Sequence, residues 1–245
     1  MTDPPLQGQS ALVTGGARRI GREIALTLAR AGADVAITFR KSHDEATAVA
    51  DEVLALGRGA VAIECDIRSE ESVRRAVGFT AGHFGRLDIL VNNAANFEAA
   101  PLDSMSVEQW DAIFASNARG PFLVTREALP HLRAAQGRIV HLGSLGGIQA
   151  WPGHAHYCAS KAALHSLTQT MARAFAPDVT VNCVAPGFIE MEDSPHEAGA
   201  RFAERTPMRR NGTAQDIADA VLFFATGPRF ITGQILVVDG GLGLV

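Results

Sequence analysis

The only tyrosine in this chain, Tyr157, stands four residues before Lys161. On an α-helix this spacing places the two side chains on one face, one turn apart. A nearby ammonium favours the phenolate and lowers the pKa of a phenol, so the pair could act as an acid and base. Taken alone, the same pair is also what an ordinary half-buried helix face shows. Because the chain has no second tyrosine, a tyrosine-based mechanism has one candidate.

The composition limits the kind of protein that can carry this pair. A length of 245 residues with 47% hydrophobic side chains suits one large α/β domain. The net charge of −4 gives no basic excess for nucleic acid or an anionic membrane, and no apolar run is long enough to span a bilayer. The cysteines and histidines show no metal-ligand spacing, and the start of the chain shows no charged-then-apolar leader. We therefore expect a cytoplasmic protein with a small-molecule substrate, without metal and without nucleic-acid or membrane partners.

Short apolar runs alternate with helical patterns along the whole chain, which predicts βαβ units and a parallel sheet. The predicted strands are Ala11–Thr14, Asp34–Phe39, Ala60–Cys65, Leu87–Val91, Arg138–Leu142, Thr180–Val184 and Ile235–Val238. The helices are predicted to begin near Ile20, His43, Glu70, Ser106, His156 and Ala214, the fourth of them being kinked near Gly120 and Pro121.

Seven such strands predict an α/β fold, a Rossmann-type doubly wound seven-stranded parallel sheet in a single domain over residues 1–245. Its ligand is expected outside the carboxyl ends of the strands. The segment at about 187–210 is richer in charge, Pro and Gly than its neighbours, and we interpret it as a mobile insertion with a short helix.

Glycines follow the first predicted strand directly, at Gly15, Gly16 and Gly21. Glycine at a strand-to-helix turn lets backbone N–H groups approach a pyrophosphate at the helix N-terminus. Such turns also use glycine for purely conformational reasons, so the position of the loop carries more weight than its composition.

The end of the second strand indicates which dinucleotide would bind. An acid there would bind the adenosine ribose of NAD, whereas basic residues accommodate the extra 2′-phosphate of NADP. This chain has Arg40, Lys41 and Ser42, with Arg18 nearby in the glycine loop, which favours NADPH. After the third strand, Asp66 could accept a hydrogen bond from the adenine amine or cap the next helix.

Polar or small residues follow other strands, which brings several candidates to one crevice. They are Asn92-Asn93-Ala94-Ala95, Ser144 and Pro186-Gly187, with Asn117 in the long fourth helix. The chain resembles a classical short-chain dehydrogenase/reductase over nearly its whole length. The resemblance is carried by these residues, by Thr14-Gly15, by the Tyr157-to-Lys161 segment and by Asn182.

The resemblance implies a role for each matching residue. Tyr157 would give its proton to a substrate carbonyl oxygen while the nicotinamide delivers hydride, or run that step backwards. Lys161 would bind the nicotinamide ribose and lower the pKa of Tyr157. Ser144 would hold the substrate oxygen, and Asn117 would position a water.

The resemblance also assigns residues to the cofactor and to the substrate. The cofactor residues would be Gly15, Arg18, Arg19, Ile20, Gly21, Arg40, Ser42, Asp66, Ile67, Asn93, Ala94, Tyr157, Lys161, Pro186, Gly187 and Ile189. The pocket wall would be Phe97, Ser144, Gln149, Trp151, His154, Phe188 and Met191. Trp151 and Phe188 are equally suited to pack in a subunit interface or a loop. The apolar stretch Ile235–Val245 favours a homotetramer or homodimer.

Three positions depart from the family pattern and leave alternatives open: Arg19 replaces the middle glycine of the loop, Ala95 a glycine and Met191 a threonine. Arg19 and Phe97 resemble the pteridine reductase branch, which usually carries an aspartate in place of Ser144. We favour reduction of a ketone or 3-oxoacyl substrate, with a pteridine or dihydropteridine reductase as the alternative. A third hypothesis is a regulator that senses NADPH and catalyses nothing.

Overall fold

Seven parallel strands form one sheet in the order β3-β2-β1-β4-β5-β6-β7. The computed structural model describes residues 3–191 and 196–245. The strands are β1 Ser10–Val13, β2 Asp34–Phe39, β3 Ala60–Glu64, β4 Ile89–Asn92, β5 Arg138–Leu142, β6 Thr180–Pro186 and β7 Ile235–Val238. The order reverses between β1 and β4, so the predicted doubly wound, Rossmann-type single domain is confirmed.

The helices lie between the strands, and the six helices with a predicted start begin within one residue of it. They are α1 Arg19–Arg30, α2 His43–Ala55, α3 Glu70–Phe84, α4 Val107–Phe114, α5 Gly120–Ala134, α6 Ala155–Phe175, α7 His196–Arg205 and α8 Ala214–Thr226. Ser106 and Thr213 cap α4 and α8 with full capping boxes. None of the described helices is both long enough and apolar enough to cross a membrane.

The predicted kink in the fourth helix is confirmed and has a specific form. A π-helical turn over Ala115–Arg119 separates α4 from α5. A Cβ on Gly120 would lie 2.7 Å from Cδ1 of Ile67, so glycine lets the helix pass close to the loop after β3. π-Bulges occur frequently at functional sites, and this one contains Asn117.

Two apolar layers hold the sheet between the helices. On one face α1 and α8 bury Ile24, Leu28 and Val221, and on the other α3, α5 and α6 bury residues such as Val77 and Leu132. The predicted site residues collect at the carboxyl ends of the strands and in the loops that follow them.

Several predicted strand ends are shifted by one or two residues. Thr14 leaves β1 because it already serves the turn: its hydroxyl accepts hydrogen bonds from the N–H groups of Asn93 and Ala94. β6 continues through Pro186 because that residue still pairs with Val238. Within the predicted insertion the short helix is confirmed as α7, and residues 192–195 lie outside the described residues.

Candidate active site

The glycine loop between β1 and α1 is built so that backbone can pass very close to backbone. Gly15 has φ +65°, and a Cβ on Gly21 would clash with the carbonyl of Gly15 and lie 2.5 Å from Nδ2 of Asn93. Asn93 donates from Nδ2 to the carbonyls of Thr14 and Gly15, at 2.9 and 3.0 Å. The first turn of α1 contains no acid, so its N–H groups and dipole are suited to an anion.

Arg19 has a left-handed backbone, with φ +52°, where the family usually has glycine. For a residue with a side chain this conformation costs about 1–2 kcal/mol. The expected loss of backbone freedom at this position is therefore present as strain, on the rim of the cavity beside the glycine loop.

A cavity of about 550 Å³ runs from the glycine loop along the carboxyl ends of β2, β3 and β4. It brings together the predicted residues Gly15, Arg18, Arg19, Ile20, Gly21, Arg40, Ser42, Asp66, Ile67, Asn93, Ala94, Phe97 and Met191. At its far end Arg18, Arg40, Lys41 and Ser42 gather, with Arg18 3.6 Å from Glu45 in an exposed ion pair. This end presents guanidinium and ammonium donors to whatever enters.

Asp66 lies in the cavity, but its carboxylate is already engaged. Arg68 donates to both oxygens, from Nε at 2.9 Å and from Nη2 at 2.6 Å, and its backbone N–H adds a third bond. This pairing lowers the pKa of Asp66 to about 2. A hydrogen bond from an adenine amine, as expected from the sequence, would have to share an acceptor with Arg68.

Tyr157 and Lys161 lie one turn apart on α6, as their spacing predicts. Lys161 is buried, and its Nζ donates to the carbonyl of Leu142 at 2.7 Å. The same Nζ lies 5.8 Å from the centre of the Tyr157 ring. The carbonyl at the end of β5 thus holds the ammonium near the phenol ring.

The pKa of Tyr157 differs in direction from the sequence-based expectation. Burial raises it above its usual value near 10, and the Ser144 side chain opposes that rise. Lys161 is itself affected by burial, which lowers its pKa to about 8. Burial is the largest influence on the pKa of the phenol, and it acts in the direction opposite to the lowering expected from Lys161.

Ser144 begins the loop that follows β5 and is buried. Its hydroxyl accepts from the N–H of Gly146 at 3.0 Å, and its own N–H donates to Nε2 of His165 at 3.4 Å. The loop therefore holds Ser144 through both its backbone and its side chain, beside Tyr157.

Asn117 uses its whole side chain as a clamp. Oδ1 accepts from the N–H of Asn96, and Nδ2 donates to the Asn96 carbonyl and to the Ser160 hydroxyl. Ser160 in turn donates to the carbonyl of Tyr157 at 2.7 Å. The side-chain amide of Asn117 thus ties the loop after β4 to α6, and its expected role in positioning a water stays a prediction.

Aromatic side chains surround Tyr157. Phe97 meets it edge-on at 4.8 Å between ring centres, and His154 stacks on Phe97, also at 4.8 Å. Trp151 lies parallel to Tyr157 at 6.2 Å. Because Phe97 is 63% exposed and also lines the cavity, it connects the cavity to the phenol.

Other predicted site residues are not among those that line this cavity. Gln149 donates from its amide to the Gly243 carbonyl, so it anchors the C-terminal segment. Phe188 stacks on Phe202 of α7 at 4.3 Å, which corresponds to the loop-packing alternative. A Cβ on Gly187 would lie 2.5 Å from that of Asp239, so the residue that follows β7 explains this glycine. Ile189 packs against the core and pairs with Gly212, and Pro186 is the last residue of β6.

Several residues of the site were not predicted, including Arg68, which pairs with Asp66. Thr38 accepts from the N–H of Gly15 at 3.2 Å, Asn96 is held by Asn117, and His165 holds Ser144. Only His165 carried a usable signal in the sequence, since it follows Lys161 by four residues on the same helix face.

The residues at this edge of the sheet fit a dinucleotide. The cavity combines a helix N-terminus free of acids, a tight glycine turn and a basic far end, and its near end leads to Phe97 and Tyr157. This set matches what a pyrophosphate, a phosphorylated ribose and a reacting ring each require.

Comparisons with known proteins match the whole of this architecture. A family model described as enoyl-(acyl carrier protein) reductase matches residues 15–243. A 3-oxoacyl-[acyl-carrier-protein] reductase FabG from Staphylococcus epidermidis is 38% identical over 240 residues, covering 96% of this chain and 98% of its own.

Solved structures agree. A short-chain dehydrogenase from Burkholderia cenocepacia in complex with NADP is 43% identical, with a TM-score of 0.90 and coverage of 97% of this chain and 99% of its own. A blue fluorescent protein from a metagenomic library, in complex with NADPH, is 36% identical, with a TM-score of 0.91 and coverage of 97% and 99%. With this fold, this site and these relatives, the chain belongs to the short-chain dehydrogenase/reductase family.

Proposed function

We propose that this protein is an NADPH-dependent reductase of carbonyl compounds, with Tyr157 as proton donor. The observation that carries the proposal is the continuity of one site. A basic, glycine-lined cavity ends at Phe97, whose ring contacts the single tyrosine of the chain. Relatives solved with NADP or NADPH, and relatives named 3-oxoacyl reductases, support the cofactor and the reaction class.

The cofactor would lie along the cavity, with its pyrophosphate at the N-terminus of α1 and its 2′-phosphate near Arg18, Arg40 and Ser42. When bound, NADPH supplies the hydride that reduces the carbonyl carbon. Arginine suits the phosphate because it offers several donors in a fixed plane.

The protein's own residues supply the proton and the geometry. The Tyr157 phenol gives its proton to the substrate oxygen, which becomes the hydroxyl of the alcohol product. Ser144 donates a hydrogen bond to the same oxygen and holds it beside the phenol. Lys161 binds the ribose hydroxyls and offsets negative charge left on Tyr157. It is charged at neutral pH because its pKa of about 8 lies above 7. Asn117 keeps α6 in register with the loop after β4.

A raised pKa suits Tyr157 as an acid in the reducing direction. The phenol stays protonated through the neutral range, so the reactive form is the dominant one. The serine at position 144 further favours a ketone oxygen over a ring nitrogen as the proton acceptor.

Reduction of a pterin remains the second candidate, because Arg19 and Phe97 line one cavity. A guanidinium and an exposed ring, 63% accessible, could bind a flat, hydrogen-bonding heterocycle. Here Ser144 would stand where that branch usually has an aspartate to deliver a proton.

The test is NADPH oxidation by the purified protein against a panel of aromatic ketones, diketones, 3-oxoacyl thioesters and dihydrobiopterin, with NADH in parallel. We expect turnover of at least one carbonyl class, faster with NADPH than with NADH. Turnover of dihydrobiopterin alone would select the pterin alternative. Tight NADPH binding without turnover of any member would select the regulator. The homotetramer or homodimer stays a prediction for sedimentation to decide.

A further inference from the structure

His165 is a buried histidine that the proposed chemistry does not use. It lies on α6 one turn after Lys161 and two turns after Tyr157, and only 6% of it is exposed. Its ring fills the inside of the loop that carries Ser144. A Cβ on Gly143 would clash with Nε2, and a Cβ on Gly147 would lie 2.6 Å from Cε1. Both glycines are needed because the loop closes around this imidazole.

The imidazole also makes a directed contact with the loop. The N–H of Ser144 donates to Nε2 at 3.4 Å. Elsewhere in the loop, the N–H of Gly146 donates to the Ser144 hydroxyl and the N–H of Gly147 to the Ser144 carbonyl. The Ser144 N–H points to the helix, whereas the other two bonds stay within the loop. His165 thus links the Ser144 backbone to the helix that bears Tyr157.

An acceptor at Nε2 requires a neutral ring, and the surroundings favour one. Burial, with help from the charge of Lys161, lowers the pKa of His165 to about 4. On the neighbouring strand the same two causes lower the pKa of His141 to about 3. Burial raises the pKa of Cys183 to about 12. Among these buried neighbours Lys161 is the cation at neutral pH, and burial, assisted by its charge, keeps the two imidazoles uncharged.

We propose that His165 is a positioning residue for catalysis, which holds the Ser144 backbone so that the serine hydroxyl stands beside the Tyr157 phenol. The inference rests on the proposed carbonyl reduction. It adds a residue that touches neither substrate nor cofactor but sets the place of one that touches substrate. Errors of about 1 Å in such placement cost up to about 100-fold in rate.

Two substitutions separate the hydrogen bond from simple filling of space. His165→Leu keeps an apolar side chain of similar reach but removes the acceptor, whereas His165→Gln places an amide oxygen near the position of Nε2. We expect His165→Leu to lower kcat by about 10- to 100-fold with the KM for NADPH unchanged. His165→Gln should recover most of that loss.

The matched control is His156→Leu. His156 is also buried on α6, but neither of its ring nitrogens has a hydrogen-bond partner among the residues that the structure describes. Its replacement should leave kcat within a fewfold range of the wild type. A wild-type rate in His165→Leu, or equal losses in the Leu and Gln variants, would overturn the proposal.

A second set of measurements needs no turnover. Nitrogen NMR of the histidines in the wild-type protein should show the Nε2 of His165 unprotonated at neutral pH. Hydrogen exchange at the Ser144 amide should be slow, and should quicken in His165→Leu but not in His156→Leu. A protonated Nε2 would overturn the contact whether or not the protein reduces carbonyls. If no carbonyl is reduced, the proposed function fails by itself while these data still decide the contact.

Discussion

The two ends of the site are built in opposite ways. The far, basic end of the cavity is called the adenosine end here, because the adenosine of NADPH is proposed to bind there. Its charged side chains Arg18, Arg40 and Lys41 are exposed, and both partners of the Arg18–Glu45 ion pair are exposed. At the catalytic end, Lys161, Ser144 and His165 are buried and held by backbone groups or by each other. The first end acts through the type and number of its charges, and the second through the position of each polar group in a dry environment.

This difference explains what each end tolerates. A water-exposed charge keeps its usual ionisation and contributes little to stability, so replacing it alters ligand binding rather than folding. A buried ammonium or imidazole changes its ionisation and depends on its partners. Substitutions at the catalytic end should therefore alter rate and pH dependence, and those at the adenosine end cofactor choice.

The largest effect that separates the two ends is expected from pH. Lys161 has a folded pKa of about 8, so it is charged below pH 8 and loses its charge above it. We expect kcat/KM for NADPH to fall by roughly tenfold per unit above pH 8. In the same cluster, His141, His165, Cys183 and Tyr157 have pKa values that keep them in one form from pH 6 to 8.

Titration of Lys161 would not by itself unfold the protein above pH 8, so unfolding through this group cannot account for the expected fall in kcat/KM. Its pKa is lower in the folded than in the unfolded chain, so the unfolded state binds more protons between about pH 8 and 10 and the stability contribution of this group rises there. A rate that stays level up to pH 10 would mean that the buried environment does not control the ammonium.

A substitution at the exposed end should change cofactor choice. Arg40→Asp replaces a donor to the 2′-phosphate by a repelling charge, and a charge-assisted hydrogen bond is worth about 1.5–3 kcal/mol. We expect NADPH affinity to fall by about 10- to 100-fold, with NADH affinity little changed, as measured by titration of each cofactor.

The matched control for this substitution is Arg74→Asp, which changes another exposed arginine, on α3, away from the cavity lining. The affinities of this variant for NADPH and for NADH should stay at wild-type values. If Arg40→Asp lowered NADPH and NADH affinity together, the basic end would not be a phosphate site.

The contrast between exposed and buried groups also determines which features of the two ends could be predicted from the sequence. The sheet, the helices and the basic adenosine end were predictable, because alternating patterns, Gly15 and Arg40 act through local geometry or charge. The direction of the Tyr157 pKa, the clamp made by Asn117 and the link through His165 were not. Each depends on burial or on a partner distant in sequence, such as Asn96 for Asn117.

The smallest effect is expected at the junction of the two ends. Phe97→Ala removes an exposed ring that meets Tyr157 edge-on, and such aromatic pairs contribute about 0.5–1.5 kcal/mol. We expect the KM for aromatic ketones to rise by roughly two- to tenfold, and that for an aliphatic ketone to rise less.

Phe79→Ala is the control for Phe97, because Phe79 is also exposed and stacked on a histidine, His83, but lies on α3. It should leave both KM values unchanged. If the KM values for aromatic and aliphatic ketones rose equally in Phe97→Ala, the ring would only fill space in the pocket wall and would not select aromatic substrates.

The central claim is that Tyr157 delivers the proton, and Tyr157→Phe in a single-turnover reaction with saturating NADPH tests it most directly. Loss of a positioned general acid costs about 10²- to 10⁴-fold. The account predicts a loss of that size in hydride transfer, with NADPH affinity and thermal stability retained. A variant that transfers hydride within tenfold of the wild-type rate would contradict it.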